Sequence, residues 1–140
     1  MSSDGQPLPS SRFRVEIEGL ERSGATEVIL PEARIVEEPG AAPGGPSRVR
    51  FGQLVVRRGM LGASDWFAWW SAARSSGAES RRRVTIVLMD HRGADAQRWT
   101  LIDAVPAAYS VSPLSAVNGQ PLVESLELTV GDLAAELAER

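Results

Sequence analysis

The sequence predicts a mainly β, antiparallel domain with one central α-helix and one short C-terminal helix. Several segments alternate apolar and polar residues with period two, which is typical of strands with one buried and one solvated face. One segment instead spaces its large apolar residues as a helix does. Clusters of Gly, Pro, Asn and Asp separate these segments, as expected of antiparallel strands joined by turns.

The 140 residues suit one domain. Residues 1–11 are polar and contain Pro, so we expect a flexible leader before a single domain at 12–140. The start has no basic segment followed by an apolar one, so no signal peptide and synthesis in the cytoplasm are expected. The longest strongly apolar run, Val84–Met89, is too short to span a bilayer as a helix, so no membrane embedding is expected.

The first strand is predicted where Phe13, Val15 and Ile17 alternate with charged residues. A second extended segment, residues 26–38, contains Pro31, which cannot donate a ladder hydrogen bond and therefore predicts a break, bulge or edge.

Residues 39–47 are predicted to form an exposed, mobile loop, because the segment contains no apolar residue larger than Ala. Its turn-forming residues are Pro39, Gly40, Pro43, Gly44, Gly45 and Pro46.

After this loop the alternation of apolar and polar residues shifts by one position. Val49 and Phe51 are followed by Leu54 and Val56, and a β-bulge at Gly52 would explain the shift.

A helix is predicted from Ser64 and Asp65 onward, with Arg74 in its last turn. Its apolar stripe consists of Trp66, Trp69, Trp70 and Ala73.

Val84–Met89 is almost continuously apolar, as expected of a strand covered on both faces, and residues 90–95 turn the chain. In the next strand Trp99, Leu101 and Val105 are predicted to share one side, and Pro106 to interrupt the strand.

The last predicted strand follows a turn at Asn118-Gly119. Leu126 and Leu128 mark its apolar face. A terminal helix is predicted at 132–140, so the total is about six strands and two helices.

Composition excludes several kinds of chemistry. The chain has no Cys, which rules out disulfides and thiolate ligands, and all 15 basic residues are Arg, which rules out lysine chemistry. A net charge of −3 gives no general attraction for nucleic acid.

Most candidate sites have simpler structural interpretations. His91 beside Asp90 could be a base with its orienting group, but a solvated turn is favoured. Asp90, Asp95 and Asp103 lack the spacing of a calcium loop. The basic run at 81–83 could hold phosphate, although a solvated segment or a salt-bridged contact is favoured. The tryptophans could stack on a sugar, but core packing is favoured.

Glu124 is the exception. It alternates in step with Leu126 and Leu128, so it lies on the apolar face of the last strand, where burial of a lone carboxylate costs free energy. A buried Arg partner, or a position at a subunit interface, would offset that cost. We expect a structural ion pair, and no catalytic, cofactor-binding or metal-binding residues.

Taken in order along the chain, these features resemble the phage tail-tube family, the inner tube proteins of contractile tails and contractile injection systems. The segments that carry the resemblance begin at residue 13 and cover nearly all of the chain. They are Phe13-x-Val15-x-Ile17-x-Gly19, residues 51–59 (FGQLVVRRG), the tryptophan helix, residues 84–90 (VTIVLMD), Trp99-x-Leu101 with Ala104, Pro106 and Tyr109, and residues 123–128 (VESLEL).

The resemblance implies an antiparallel β-sandwich or barrel with a flanking helix that forms hexameric rings. The rings would stack into a hollow tube inside a sheath, with baseplate and cap proteins as further partners and protein or DNA as cargo in the lumen. The particle would be a phage tail or a related injection system. By alternation, Ser125, Glu127 and Thr129 would face the lumen, and residues 39–47 would contact a neighbouring subunit or ring. A specialised relative at the baseplate or cap end, and a monomeric sugar- or peptide-binding module, are the alternatives.

Overall fold

The structure is a computed structural model that describes residues 6–20, 24–40, 42–45, 47–62 and 64–138. These residues form nine strands and one α-helix, in chain order β1 (Phe13–Ile17), β2 (Glu27–Ile29), β3 (Ala33–Glu37), β4 (Ser47–Phe51), β5 (Leu54–Gly59), α1 (Asp65–Ser76), β6 (Arg82–Met89), β7 (Asp95–Val111), β8 (Val123–Thr129) and β9 (Asp132–Leu137). The mainly antiparallel β prediction with one central helix is confirmed.

The long strand β7 belongs to two sheet halves. Its first half lies between β6 and β9, and β1 pairs with the far side of β6. Its second half pairs with β8, which continues through β5 to β2, and every pairing is antiparallel. We call these the first sheet (β1, β6, β7, β9) and the second sheet (β7, β8, β5, β2).

The apolar core lies between the two sheets. Its buried members from the strands are Val15, Ile17, Leu54, Val56, Val84, Ile86, Leu101, Ala104, Leu126 and Leu128. The helix adds Trp66 and Trp69 to the same cluster. Every one of these strands therefore turns one apolar face inward, which is the alternation seen in the sequence.

The helix prediction is confirmed at α1, although the Ser64 side chain makes no capping hydrogen bond. Trp69 is buried and its Nε1 donates to the Ser80 carbonyl at 2.7 Å, and Trp70 Nε1 donates to the Ala107 carbonyl at 3.3 Å. The tryptophans therefore dock the helix on the sandwich, as core packing predicts.

The break predicted at Pro31 is confirmed, because it separates β2 from β3. The bulge predicted at Gly52 is wrong. β4 pairs only with β3 in a separate two-stranded sheet, and the chain leaves that hairpin at Gly52 to enter β5. The Gly52 N–H donates to the Glu32 carbonyl at 2.8 Å and closes the base of the hairpin. The shift in the apolar pattern therefore marks the point where the chain leaves the β3–β4 sheet and enters the second sheet.

Two predictions about β7 are wrong. The strand continues through Pro106, with a register shift between Pro106 and Ala108. Its buried side changes after Leu101, because Asp103 adopts a left-handed conformation with φ 56°, and Ala104 is then buried in place of Val105.

The predicted terminal helix is also wrong, because residues 132–137 form β9 along β7. Gly131 lies against Asp103, and its N–H donates to the Ile102 carbonyl at 2.8 Å. Pairing with an open sheet edge satisfies the backbone of this segment and outweighs its weak local preference for helix. The final residues, 139–140, lie outside the described residues.

Candidate functional site: a buried ion pair, a polar sheet face and open strand edges

Glu124 is fully buried at the end of the second sheet that lies under α1. Arg58, directly opposite it on β5, donates its Nε–H to Glu124 Oε2 at 2.8 Å. The Tyr109 hydroxyl donates to Oε1 at 2.9 Å. Both carboxylate oxygens therefore have a donor, which offsets the cost of burying the charge.

Arg58 also joins the sheet to the helix. Its guanidinium bonds to Asp65, the first residue of α1, and lies 4.1 Å from the ring centroid of Trp66. The side chain of Arg58 is only 6% exposed, so its charge depends on these carboxylates and on the ring. The network fixes where α1 begins relative to β5 and β8.

The network also shifts the pKa values of Tyr109, Asp65 and Arg58. Burial and the hydrogen bond to Glu124 raise the pKa of Tyr109 to about 12. Burial would raise the pKa of Asp65, but the hydrogen bond and the charge of Arg58, together with backbone N–H donors, outweigh burial and hold that pKa below its usual value. Burial alone would lower the pKa of Arg58, yet its two carboxylate partners raise it. The Arg58–Asp65 pair is thus held in its charged form and the Tyr109 phenol in its neutral form.

The other candidate residues occupy structural positions. His91 lies exposed in the turn between β6 and β7, where Asp90 accepts the backbone N–H of Ala94 at 3.0 Å. Asp95 pairs with Arg14 at 2.8 Å, and Asp103 is exposed at the bend of β7. Within the described ranges, no three acidic or His side chains are grouped as a metal site would require.

The basic run at 81–83 is tied to the core. Arg82 lies 5.4 Å from the ring centroid of Trp69 and donates to the Glu18 carbonyl at 2.6 Å. The backbone N–H of Arg83 donates to the Glu18 carboxylate at 3.0 Å. These contacts anchor the start of β6 to the end of β1.

The outer face of the second sheet carries the three residues expected in a lumen. Ser125 and Glu127 are half-buried and Thr129 is exposed, all on the side of β8 opposite Leu126. Arg57 on the neighbouring strand donates to Ser125 Oγ at 3.2 Å and to Glu27 at 2.6 Å. The face therefore combines these polar side chains and the Arg57–Glu27 pair with the apolar Val55 and Ile29.

The second sheet has two open edges. β2 pairs with β5 on one side only, and residues 105–111 of β7 pair with β8 on one side only. No strand in the described part of the chain occupies the far side of either segment. Two edges on opposite sides of one sheet can pair with each other between copies.

The Pro/Gly segment forms the tip of the β3–β4 hairpin. Pro39, Gly40, Pro43 and Gly44 are exposed, and Gly45 is half-buried, with its N–H bonded to the Ala42 carbonyl at 2.8 Å. Pro46 lies outside the described residues. The strands below this tip carry Ile35 and Val49, which face each other in the register and are both exposed.

Sequence reasoning missed two features here. Arg58 lies at the same alternating positions of its strand as Leu54 and Val56. It therefore faces inward with them and could have been identified as the partner of Glu124. The exposed Leu114 and Val117 lie in a long loop without a single charge, a signal visible in the sequence.

No helix in the described part of the chain is long and apolar enough to cross a membrane.

The family model described as T4-like virus tail tube protein gp19 matches residues 9–134. No curated protein has a significant match to the sequence.

Among solved structures, the fold is similar to a chain of the PVC sheath-tube complex, an extracellular contractile injection system in the extended state. That match has a TM-score of 0.74 and 18% identity, and covers 96% of this chain and 95% of that one. A chain of the anti-feeding prophage baseplate matches with a TM-score of 0.64 and 23% identity over 97% of both chains. Hcp1 from Flavobacterium johnsoniae matches with a TM-score of 0.59 and 12% identity, over 91% of this chain and 98% of that chain.

Proposed function

The chain belongs to the T4-like virus tail tube protein gp19 family, and from this premise we propose that it is a structural subunit of the inner tube of a contractile, phage-tail-like injection system. In this proposal six copies close into a ring, and rings stack into a hollow tube through which cargo passes. The subunit carries out no reaction and needs no cofactor.

The observation that carries the ring proposal is the pair of open edges on the second sheet. β2 lies at one side of this sheet and the second half of β7 at the other. A contact between β2 of one copy and β7 of the next is head-to-tail, and such contacts close into a ring when the rotation fits. Closure would merge the second sheets of the copies into one barrel and leave neither edge of that sheet open to unwanted pairing.

In such a barrel the inward apolar face packs within each subunit, and the outer face of the second sheet lines the bore. The polar side chains of Ser125, Glu127 and Thr129 support this assignment, because they suit a water-filled space. The same proposal has residues 39–47 contact a neighbouring subunit or ring, and gives the Glu124–Arg58 pair a structural role. The partners would be sheath, baseplate and cap proteins, with protein or DNA as cargo.

A specialised tube relative at the baseplate or cap end would use the same fold. A monomeric sugar-binding module is disfavoured, because Trp66 and Trp69 are buried and offer no ring face to a ligand.

Negative-stain microscopy of the purified chain, alone and co-expressed with its sheath and baseplate neighbours, tests the proposal. We expect rings or hollow rods. A strictly monomeric protein under both conditions, at high concentration, would contradict it. A chain that forms single rings only at the end of tubes built by another protein would be a specialised relative.

Thiol labelling tests the lumen assignment. The chain has no Cys, so Ser125→Cys and, as a matched control on the outer face of the first sheet, Ala134→Cys each introduce a single thiol. A bulky polymer-linked maleimide should react with both variants before assembly, but only with Ala134→Cys in tubes. Equal reaction of Ser125→Cys before and after assembly would refute the assignment.

A further inference from the structure

The open edge of β7 is apolar on the side that faces the sandwich core. Its apolar side chains, which we call the edge cluster, are Phe67, Trp70, Tyr109 and Val111. We propose that the edge cluster of one subunit binds Val28 and Leu30 of the next copy, and thereby sets the register in which β2 pairs with β7 across the ring. The inference rests on the proposed tube function, which leaves that register open.

The helix α1 brings two aromatic rings to this edge. The ring centroid of Phe67 lies 5.4 Å from that of Tyr109 in an edge-on arrangement, and 5.8 Å from that of Trp70. Phe67 is 45% exposed and Val111 is 39% exposed. Apolar surface of this kind beside an open strand edge marks an interaction site.

The backbone of β7 shows which residues can pair with an incoming strand. Hydrogen-bonded and non-hydrogen-bonded pairs alternate along an antiparallel ladder. The Ser112 N–H donates to the Val123 carbonyl at 2.9 Å, so Ser110 also directs its backbone groups toward β8. The backbone groups of Tyr109 and Val111 therefore point to the open edge.

The same rule identifies the pairing residue of β2. The Met60 N–H donates to the Leu122 carbonyl at 2.9 Å, so alternate residues of β5, counted back from Met60, face β8. Val55 and Arg57 lie between those residues and face β2. Because their partners in β2 stand on either side of Val28, the backbone groups of Val28 point to the open edge.

At both edges the residues that can pair carry their side chains on the core side. Tyr109 and Val111 lie opposite buried residues of β8, and Val28 lies opposite the buried Val56. Residues directly opposite each other in a ladder share one face of the sheet. When the two edges pair, Val28 of the next copy must therefore lie against Tyr109 or Val111.

The edge cluster favours the second of these registers. The strands β2, β5, β8 and β7 alternate in direction, so β2 of the next copy runs antiparallel to β7. With Val28 opposite Val111, Leu30 lies opposite Tyr109, and both side chains brought onto the cluster are apolar. Phe67, which packs on Tyr109, then covers Leu30 from the helix side.

The other register, shifted by two residues, matches the edge less well. It places Leu30 opposite Ala107, whose carbonyl already accepts the Trp70 Nε1–H at 3.3 Å. It also places the polar Thr26 opposite Val111. The indole of Trp70 thus marks where pairing with the next copy ends.

Disulfide crosslinking tests the register, because residues directly opposite each other lie within disulfide reach. In assembled protein Val28→Cys/Val111→Cys should, on oxidation, give linked multimers that end at one ring. The matched control Val28→Cys/Ser110→Cys should give none, because Ser110 points to the opposite face of the sheet. Rings of the first variant without links would overturn the register, and so would links in the control or in Thr26→Cys/Val111→Cys.

A charge at Phe67 tests the contact independently. Phe67→Asp should raise the protein concentration at which rings form by at least about tenfold, because aromatic anchors dominate the energy of an interface. The matched control Ala72→Asp adds the same charge at an exposed position of the same helix and should assemble like the unchanged protein. Circular dichroism of the unassembled variants checks that they are folded, and Phe67→Ser replaces Phe67→Asp if the latter is not.

Each outcome of the charge test has one meaning. Ring formation by the Phe67 variant at unchanged concentrations would overturn the contact. Unchanged rings with lost sheath binding would overturn it too, since the edge cluster would then be a sheath contact. Failure of the unchanged protein to form rings or rods, alone or with its neighbours, would instead refute the proposed function.

Discussion

Removal of the Glu124 carboxylate should strongly destabilise the fold. In Glu124→Leu a side chain of similar size fills a fully buried position, while Arg58 loses one carboxylate partner and keeps Asp65, and the Tyr109 hydroxyl loses its acceptor. Breaking one side of a buried pair costs about 3–5 kcal/mol, and retention of Asp65 argues for the lower end. At about 3 °C per kcal/mol for a domain of this size, the thermal midpoint should fall by about 10 °C.

Thermal and urea unfolding of the unassembled protein measure this effect. The matched control is Glu127→Leu, the same substitution on the opposite face of β8, which should change stability by less than about 1 kcal/mol. The double variant Arg58→Met/Glu124→Leu should recover most of the loss, because it removes both fully buried charges, and the Asp65 that it leaves unpaired is 30% exposed to water. A loss below about 1 kcal/mol in Glu124→Leu, or no recovery in the double variant, would refute the argument.

The remaining predictions concern Tyr109, Asp65 and Trp69. Tyr109→Phe removes one donor to Glu124 and should lower the free energy of unfolding by about 1 kcal/mol in urea titrations. Because the folded pKa of Tyr109 is raised to about 12, stability should fall as the pH rises from about 10 to 12, and this alkaline loss should be absent from Tyr109→Phe. Asp65 has a lowered pKa in the folded state, so its contribution should be present above about pH 4 and lost on further acidification. A flatter acid profile in Asp65→Asn would confirm this, and an unchanged one would contradict it. Trp69→Phe removes the buried bond from the indole to the carbonyl of Ser80 and should cost about 1–3 kcal/mol in thermal unfolding, whereas no loss would show that the bond is dispensable.

The parts of the fold that follow period two or helical spacing were predictable. β1, β8 and α1 have strong patterns, and each buries most of the residues that its pattern selects, with Phe13 and Trp70 half-buried. The same parity argument identified Glu124 as inward-facing before its partners were known. The sequence predicts these elements because one side of each faces a single continuous core.

The elements that sequence reasoning missed depend on distant pairing. β9 has little local preference for strand, and it forms because β7 offers an open edge to it. The bend at Asp103 depends on one residue in a left-handed conformation, which shifts the buried side of β7 without a glycine to mark it. The change of sheet at Gly52 produces the same sequence signal as a bulge.

The candidate site was predictable only in part. Ser125, Glu127 and Thr129 follow from alternation, but the open edges beside them appear only when the strand order is known. The exposed Leu114 and Val117 were visible as part of a stretch without charge, yet the sequence alone does not show that their loop leaves and enters paired strands of the second sheet.

The most direct test of the tube account is a cryo-EM reconstruction of particles produced by co-expression of this chain with its sheath and baseplate neighbours. The account predicts stacked six-fold rings of this subunit, with β2 of one copy paired to β7 of the next and the Ser125 face lining a hollow bore. A solid filament, a ring without strand pairing between copies, or absence of the chain from the particles would contradict it.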